Sequence, residues 1–311
     1  MKKILVPIDF SDYSMHAIEV ASYIAKVTEC KVRLLHIVED SYTPYYNMVG
    51  INMVEHSTLF TYQKELQESI KRQLTDLAEK IRKKGIEVES EVVLERAKNA
   101  IVKDAEEQNV ELIVMGSHGH SDIEEIFIGG TSEKVIRTSS IPVLTVHEVP
   151  ENYKIDKIVF ASNFEEETVE NVLKRVIGFA EIFMAELYLV RINTPSGLFP
   201  SSKSRERVED LAKKFNLSAG AVTPYEDRNE EEGIVNYAKE VGADLIVLGT
   251  HGRTGLARLF KGSIAEDVVG NSTIPVLTYN LSRIKNIKTA RPIAKERKLK
   301  IDHSKRSNPK G

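Results

Sequence analysis

The chain has 311 residues, 41% hydrophobic and 29% charged, with a net charge of −3, the profile of a globular protein with room for about two domains. Its longest apolar runs, such as Ile4 to Ile8 and Leu245 to Leu248, are strand-length, far below the ~20 residues that a membrane-spanning helix needs. The single cysteine, Cys30, excludes an internal disulfide and has no partner at metal-ligand spacing, which fits a reducing compartment.

The first expected element is a buried strand over 3–8, directly after Met1-Lys2-Lys3 and without a separate apolar leader pattern. A cytoplasmic location is therefore expected. The pattern then predicts a helix over 12–28, a strand over 31–38, a helix over 62–84 and a strand over 86–94. A helix over 98–109, a strand over 111–116, a helix over 131–139 and a strand over 142–147 follow. In the long second helix, Leu66, Ile70, Leu74, Leu77 and Ile81 step by three or four residues and form one core-facing stripe. The stretch 41–60 before it is rich in Tyr and Met; a lid and a packing surface fit it equally well. Residues 148–154 contain Pro150 and lack periodicity, so a domain boundary is expected there. Strands are expected again near 156–161, 186–192, 219–224, 244–248 and 274–279, with a helix over 264–270. Short apolar runs alternating with amphipathic stretches indicate βαβ units and a mostly parallel sheet.

The sequence repeats itself. Glu111-Leu-Ile-Val-Met-Gly-Ser-His-Gly119 recurs as Asp244-Leu-Ile-Val-Leu-Gly-Thr-His-Gly252, and Ile141-Pro-Val-Leu-Thr145 recurs as Ile274-Pro-Val-Leu-Thr278, both at an offset of 133. The opening strands, Ile4-Leu-Val-Pro-Ile-Asp9 and Ile158-Val-Phe-Ala-Ser-Asn163, are offset by 154, and the first copy's surplus of about 21 residues falls in 41–60. Two copies of one domain are expected, over 1–147 and 155–281, joined by 148–154 and followed by a tail over 282–311. That tail holds eleven Lys or Arg against Glu296 and Asp302, a charge of +9, which leaves −12 on residues 1–281. An acidic body offers nucleic acid no footprint; only the tail, read as solvated and disordered, could touch an anionic surface.

In open parallel sheets ligands bind beyond the carboxyl ends of strands, where helix N-termini favour anions. In the second copy the fourth strand runs into Gly249-Thr-His-Gly252, then nine residues, then Gly262-Ser263 and a helix. Glycines there permit positive φ and close backbone approach, so successive N–H groups can point at phosphate oxygens. Ser263, with Glu266 three residues on, also reads as a capping box.

Gly-x-x-Gly, nine residues, then Gly-Ser after a strand, with Asp9 ending the first strand, resembles the universal stress protein family over both halves, leaving out only the basic tail. The resemblance implies a Rossmann-like α/β fold. Each copy would be an open parallel five-stranded sheet with helices on both faces and strand order 3-2-1-4-5. It also implies an adenine nucleotide, ATP or AMP, with Mg accompanying ATP. In the family pattern the acid ending strand one and the backbone near the end of strand two hold adenosine, and the glycine loop holds phosphates. Carried over, these are Asp9, Ile37, Gly116, Gly119 and Gly129 in the first copy. In the second they are Asn163, Ile192, Gly249, Gly252, Gly262 and Ser263, with His251 and Arg253 in the same loop. The resemblance further implies that the last strands, 142–146 and 275–279, pair across an interface, as a pseudo-dimer within the chain or a homodimer between chains.

Each copy departs from the pattern. The first reads Gly129-Gly130-Thr131, so the hydroxyl position is Gly130, and its loop carries Asp122, Glu124 and Glu125. The second has Asn163 where the acid belongs, and its loop carries Arg253, Arg258 and Lys261. A charge of −3 against +3 favours a polyphosphate in the second copy if these side chains face it; equally, all six can be solvated surface charges. Asn163 keeps an acceptor for an adenine amino group but brings no charge. His118 and His251 lie between paired glycines, and no nucleophile pattern accompanies them. Lys261-Gly262-Ser263 is not a P-loop, whose lysine follows the second glycine, so efficient NTP hydrolysis is not expected. No Gly-x-Gly-x-x-Gly follows the first strand, which excludes a dinucleotide fingerprint. The expected function is a sensor or regulatory module that binds an adenine nucleotide mainly in the second copy. The alternatives are a nucleotide-free interaction protein of the same fold and a slow ATPase.

Overall fold

The computed structural model describes residues 1–38, 53–94, 97–119, 128–150, 152–165, 168–195, 202–217, 221–250 and 264–283. The first copy runs β1 (Lys3–Ile8), α1 (Asp12–Thr28), β2 (Lys31–Val38), α2 (Met53–Arg82), β3 (Val88–Leu94), α3 (Ala97–Glu107), β4 (Leu112–Gly116), α4 (Gly130–Thr138) and β5 (Val143–Val146). The second repeats this order as β6 (Lys157–Ala161), α5 (Thr168–Phe183), β7 (Glu186–Asn193), α6 (Ser202–Lys214), β8 (Val222–Glu226), α7 (Glu230–Val241), β9 (Leu245–Thr250), α8 (Ile264–Asn271) and β10 (Val276–Asn280).

Local chemistry sets the helix ends. Ser11 Oγ accepts the Ser14 N–H at 3.2 Å and starts α1, a cap of a kind that contributes about 1 kcal/mol. Asn229 caps α7 in the same way, and Gly242, at φ 65°, ends it in the left-handed region. Helix α2 starts at Met53, nine residues before the expected 62, so the end of the first copy's surplus stretch continues as helix. No Gly or Pro interrupts 53–84, and the weak helix formers around Ser57 and Thr58 hide a start that nothing forbids. On α2, Leu74, Leu77 and Ile81 are buried and Ile70 is half-buried, as the stripe predicts, while the side chain of Leu66 lies outside the described set. Strand β8 begins at Val222 instead of 219, and its Pro224 is tolerated because β8 is an outermost strand.

Each copy has the expected order 3-2-1-4-5 with parallel neighbours, and the two sheets join edge to edge. Strand β5 pairs antiparallel with β10, Leu144 opposite Leu277, giving one ten-stranded sheet of order β3-β2-β1-β4-β5-β10-β9-β6-β7-β8. Leu144 and Leu277 are equivalent positions of the repeat, so a pseudo-twofold axis passes between them. On either side of it Thr145 Oγ1 donates to Val276 O and Thr278 Oγ1 to Val143 O, both at 3.1 Å. Two apolar edges that would otherwise invite foreign strands thus cover each other. Helices α1, α2, α5 and α6 pack one face of the sheet and α3, α4, α7 and α8 the other. Between the copies, Tyr153 and Ile155 are buried; Tyr153 donates its hydroxyl to Asp244 O at 2.8 Å, and Tyr23 Oη accepts the Ile155 N–H at 3.3 Å.

Candidate functional site

The strand order reverses between β1 and β4 in the first copy and between β6 and β9 in the second, and crevices at such reversals take ligands. Asp9 and Asn163 stand just past the ends of β1 and β6. Both fold back through the same short turn. Asp9 Oδ1 accepts from the Ser11 N–H at 3.0 Å and the Ser11 hydroxyl at 2.6 Å, while Asn163 Oδ1 accepts from the Glu165 N–H at 3.1 Å. The residue between, Phe10 or Phe164, sits at φ 65° or 59°, a conformation that strains a bulky side chain by about 1–3 kcal/mol and recurs at ligand sites. Packing holds it there: Phe10 lies 5.2 Å from the His36 ring, and Phe164, 1% exposed, packs edge-on against Phe160. Sequence reasoning missed this strain, although an Asx-Phe pair at the same position in both copies was its signal.

The strand-two ends differ between copies. Ile37 and Ile192 lie at matching positions, paired with Val93 and Tyr225. The preceding residue is His36 in one copy, with Nδ1 donating to Ile8 O at 2.7 Å, and burial lowers its pKa from the ordinary histidine value. In the other copy it is Arg191, 3.6 Å from Glu165 and 3.5 Å from the carbonyl oxygen of Asn163. The Arg191 cation is thus matched by the Glu165 carboxylate, so this end of the second copy carries a balanced pair without an acid at Asn163.

The glycine positions separate the copies further. A Cβ on Gly116 would meet Tyr13 Cβ at 2.7 Å and the Tyr13 backbone at 3.0 Å, so the close approach of α1 alone requires glycine there. On Gly249 the nearest described atoms are those of the Leu281 side chain, 2.9 Å for Cδ1 and 3.1 Å for Cγ, a side chain instead of a backbone. The fold's own demand for glycine is weaker in the second copy. Beyond Gly116, the two described ends of the first copy's loop are tied together: the Gly129 N–H donates to Ser117 O at 2.9 Å and Ser132 Oγ to Gly116 O at 2.8 Å. Helix α4 then starts at Gly129 without a side-chain cap. His118, 5% exposed, packs on Tyr13 and His147 rather than on solvent. Ser117 Oγ lies 3.0 Å from His118 Nδ1 and 3.1 Å from His147 Nδ1, and His16 Nδ1 donates to His147 O at 3.0 Å. Gly119 closes this segment and is half-buried.

In the second copy the matching polar atoms are unsatisfied. Thr250, 6% exposed, and Asn280, 5% exposed, replace Ser117 and His147, and among the described residues nothing partners Thr250 Oγ1 or Asn280 Oδ1. Leaving such a buried group unpaired costs about 1–3 kcal/mol, so the start of this loop has hydrogen-bonding capacity to offer a ligand oxygen or water. His251, Gly252, Arg253, Gly262 and Ser263 lie outside the described residues, as do Asp122, Glu124 and Glu125. Glu266, expected to reach back to Ser263, is 12% exposed, and its Oε1 lies 3.6 Å from Arg137 Nε of the first copy.

Among the described residues no three His, Cys, Asp or Glu are arranged to hold a metal ion, and no helix is long and apolar enough to cross a membrane. The sequence model of the universal stress protein family matches residues 1–147 and again 154–280. A universal stress protein of Bacillus subtilis is 31% identical over 144 residues, covering 46% of this chain and 97% of the relative. One of Methanocaldococcus jannaschii is 30% identical over 152 residues, covering 47% of this chain and 94% of the relative. A solved universal stress protein from Archaeoglobus fulgidus covers 89% of this chain and 96% of its own, with a TM-score of 0.67 at 22% identity, a likeness of fold.

Proposed function

The chain belongs to the universal stress protein family twice over, and from that premise we propose that it is a cytoplasmic sensor whose second copy binds an adenine nucleotide, ATP or AMP. Asn163 and the Ile192 backbone would hold the adenosine, and Gly249, His251, Gly252, Arg253, Gly262 and Ser263 the phosphates, with Mg²⁺ entering only as a companion of ATP. One observation carries the choice of copy: the loop-start hydroxyl of Thr250 is buried and without a partner among the described residues, whereas its counterpart Ser117 is hydrogen-bonded to histidines. The positive loop charge of the second copy supports the same choice. Asp9, Ile37, Gly116, Gly119 and Gly129 would then form a weaker or idle site, because the loop-start hydroxyl of Ser117 is already engaged, although His118 Nε2 is buried without a partner among the described residues. Lys261-Gly262-Ser263 is not a P-loop, and binding rather than turnover is the proposed role.

Calorimetric titration of the full chain with ATP and AMP tests this reading. One site is expected, abolished by Gly262→Asp and retained in Gly129→Asp. Two equal sites, or binding unchanged by Gly262→Asp, would overturn the assignment to the second copy. No binding of either nucleotide, and none co-purifying by mass spectrometry, would favour a nucleotide-free interaction protein.

A further inference from the structure

We propose that whole chains pair face to face through α1 and α5, a second copy of this chain covering the outer side of the two helices. Nucleotide binding plays no part in it; what counts is what the junction between the copies leaves exposed.

Helices α1 and α5 lie on one face of the sheet and meet across the pseudo-twofold axis, where the Tyr23 ring is 5.7 Å from that of Phe183 and Phe183 is 4.7 Å from Phe179. This aromatic seam reaches the surface. Tyr23 and Phe179 are half-buried, and Val27 at 41%, Ile182 at 44% and Met184 at 75% exposure continue it outward. Glu29 and Met184 are the left-handed residues that close the two helices, at φ 54° and 55°. Counted back from them, Val27 and Ile182 are equivalent positions, as are Tyr23 and Gly178. The exposed aliphatics therefore repeat the pseudo-twofold symmetry, and a Cβ added at Gly178 would meet nothing within 4 Å.

Charge selects the occupant. On α1, Glu19, Tyr23 and Lys26 are spaced by four and three residues and share one side of the helix. On α5, Lys174, Gly178 and Glu181 repeat that spacing with the signs reversed, and all four charged residues are exposed. A twofold axis laid across both helices at Tyr23 and Gly178 turns each helix antiparallel onto its own copy. Glu19 then faces the partner's Lys26, Lys174 faces the partner's Glu181, and the same contacts recur with the chains exchanged, as an isologous interface requires. Residues 1–281 carry −12, yet these four charges sum to zero, so two acidic bodies can approach here with opposite signs in register.

Sedimentation equilibrium of the full chain over a concentration series tests this. The wild type is expected to form dimers, and Lys26→Glu to raise the dissociation constant about tenfold, because two symmetry-related attractions become repulsions. Combining Glu19→Lys with Lys26→Glu exchanges the signs and is expected to restore the wild-type constant, which a loss of folding or packing would not do. Val27→Asp together with Ile182→Asp should abolish the dimer and leave the thermal midpoint of the dilute chain unchanged, since both side chains are exposed. A wild type that stays monomeric throughout would leave this face to a different protein and overturn the proposal. So would a dimer that Lys26→Glu does not weaken, that the sign exchange does not restore, or that survives the two aspartates.

Discussion

His36, two residues before the end of β2, stands where burial disfavours its charged form. Nδ1 donates to Ile8 O, the ring lies against Phe10, and burial lowers its pKa below the usual 6.5, with the nearby Asp9 acting in the opposite direction. A base whose folded pKa is depressed is held neutral by folding. Its contribution is complete above the unfolded value near 6.5 and is lost as pH falls through the folded value. We expect the His36 imidazole to titrate below 6.5 by NMR. Denaturant midpoints should fall more between pH 7.5 and 5.5 in the wild type than in His36→Gln; an equal fall would show that His36 does not titrate with folding. The second copy has Arg191 at this position, a guanidinium that stays charged throughout this range, so this histidine-linked loss is expected at the strand-two end of the first copy alone.

At the scale of elements, helix packing inverts a familiar rule about glycine. Replacing a helical glycine by alanine ordinarily stabilises by about 0.5–1 kcal/mol. Gly178 in α5 has nothing within 4 Å of a built Cβ, and Gly178→Ala should follow that rule. Gly233 in α7 is different, because a Cβ would lie 2.6 Å from Ile192 Cγ2 and 2.9 Å from Asp227 Cβ. Gly233→Ala should destabilise by about 1–3 kcal/mol, the usual range for overpacking, and displace the strand end at Ile192; a raised thermal midpoint would refute this. Contacts of this kind explain what the sequence made legible. Strands over 3–8 and 31–38 and the 12–28 helix were readable to the residue because their apolar periods are unbroken, and the structure ends that helix locally with a Ser11 cap and a left-handed Glu29. The start of α2 was not readable, since nothing marks a helix start among weak formers, nor was that of β8, where Ala219 and Gly220 precede an edge strand containing Pro224. At the site, glycine spacing pointed to Gly116 and Gly249 but could not show that Tyr13 and the His118 carbonyl crowd the first of them. It could not reveal that His118 turns inward, nor that Glu266 meets an arginine 129 positions earlier in the chain. Such facts depend on tertiary neighbours, and only the repeat's offset hinted at which residues those were.

Across the whole molecule, the β5–β10 junction decides how chains associate. Its register is self-complementary: Leu144 faces Leu277, and each threonine donates to the carbonyl of the valine opposite it. Since Val143, Leu144 and Thr145 are repeated as Val276, Leu277 and Thr278, one copy's edge could pair equally well with a second example of itself. In the full chain both edges are occupied by each other, so association of whole chains has to use another surface. Separating the copies should therefore change the oligomeric state. A fragment of residues 1–147 should form a dimer through β5, with Leu144 on the twofold axis, whereas the full chain should show no association through this edge. Sedimentation equilibrium distinguishes the two, and Thr145→Pro should return the fragment to a monomer, because a proline at that position removes a ladder hydrogen bond and the threonine hydroxyl together. A monomeric fragment that is folded by circular dichroism would show that the junction depends on contacts the repeat does not share. Of these, the Arg137–Glu266 pair and the packing of Tyr23 on Tyr153 and Phe183 are the foremost. Tandem fusion would then have done more than tether two copies: it would have built an asymmetric interface that neither copy could form with itself.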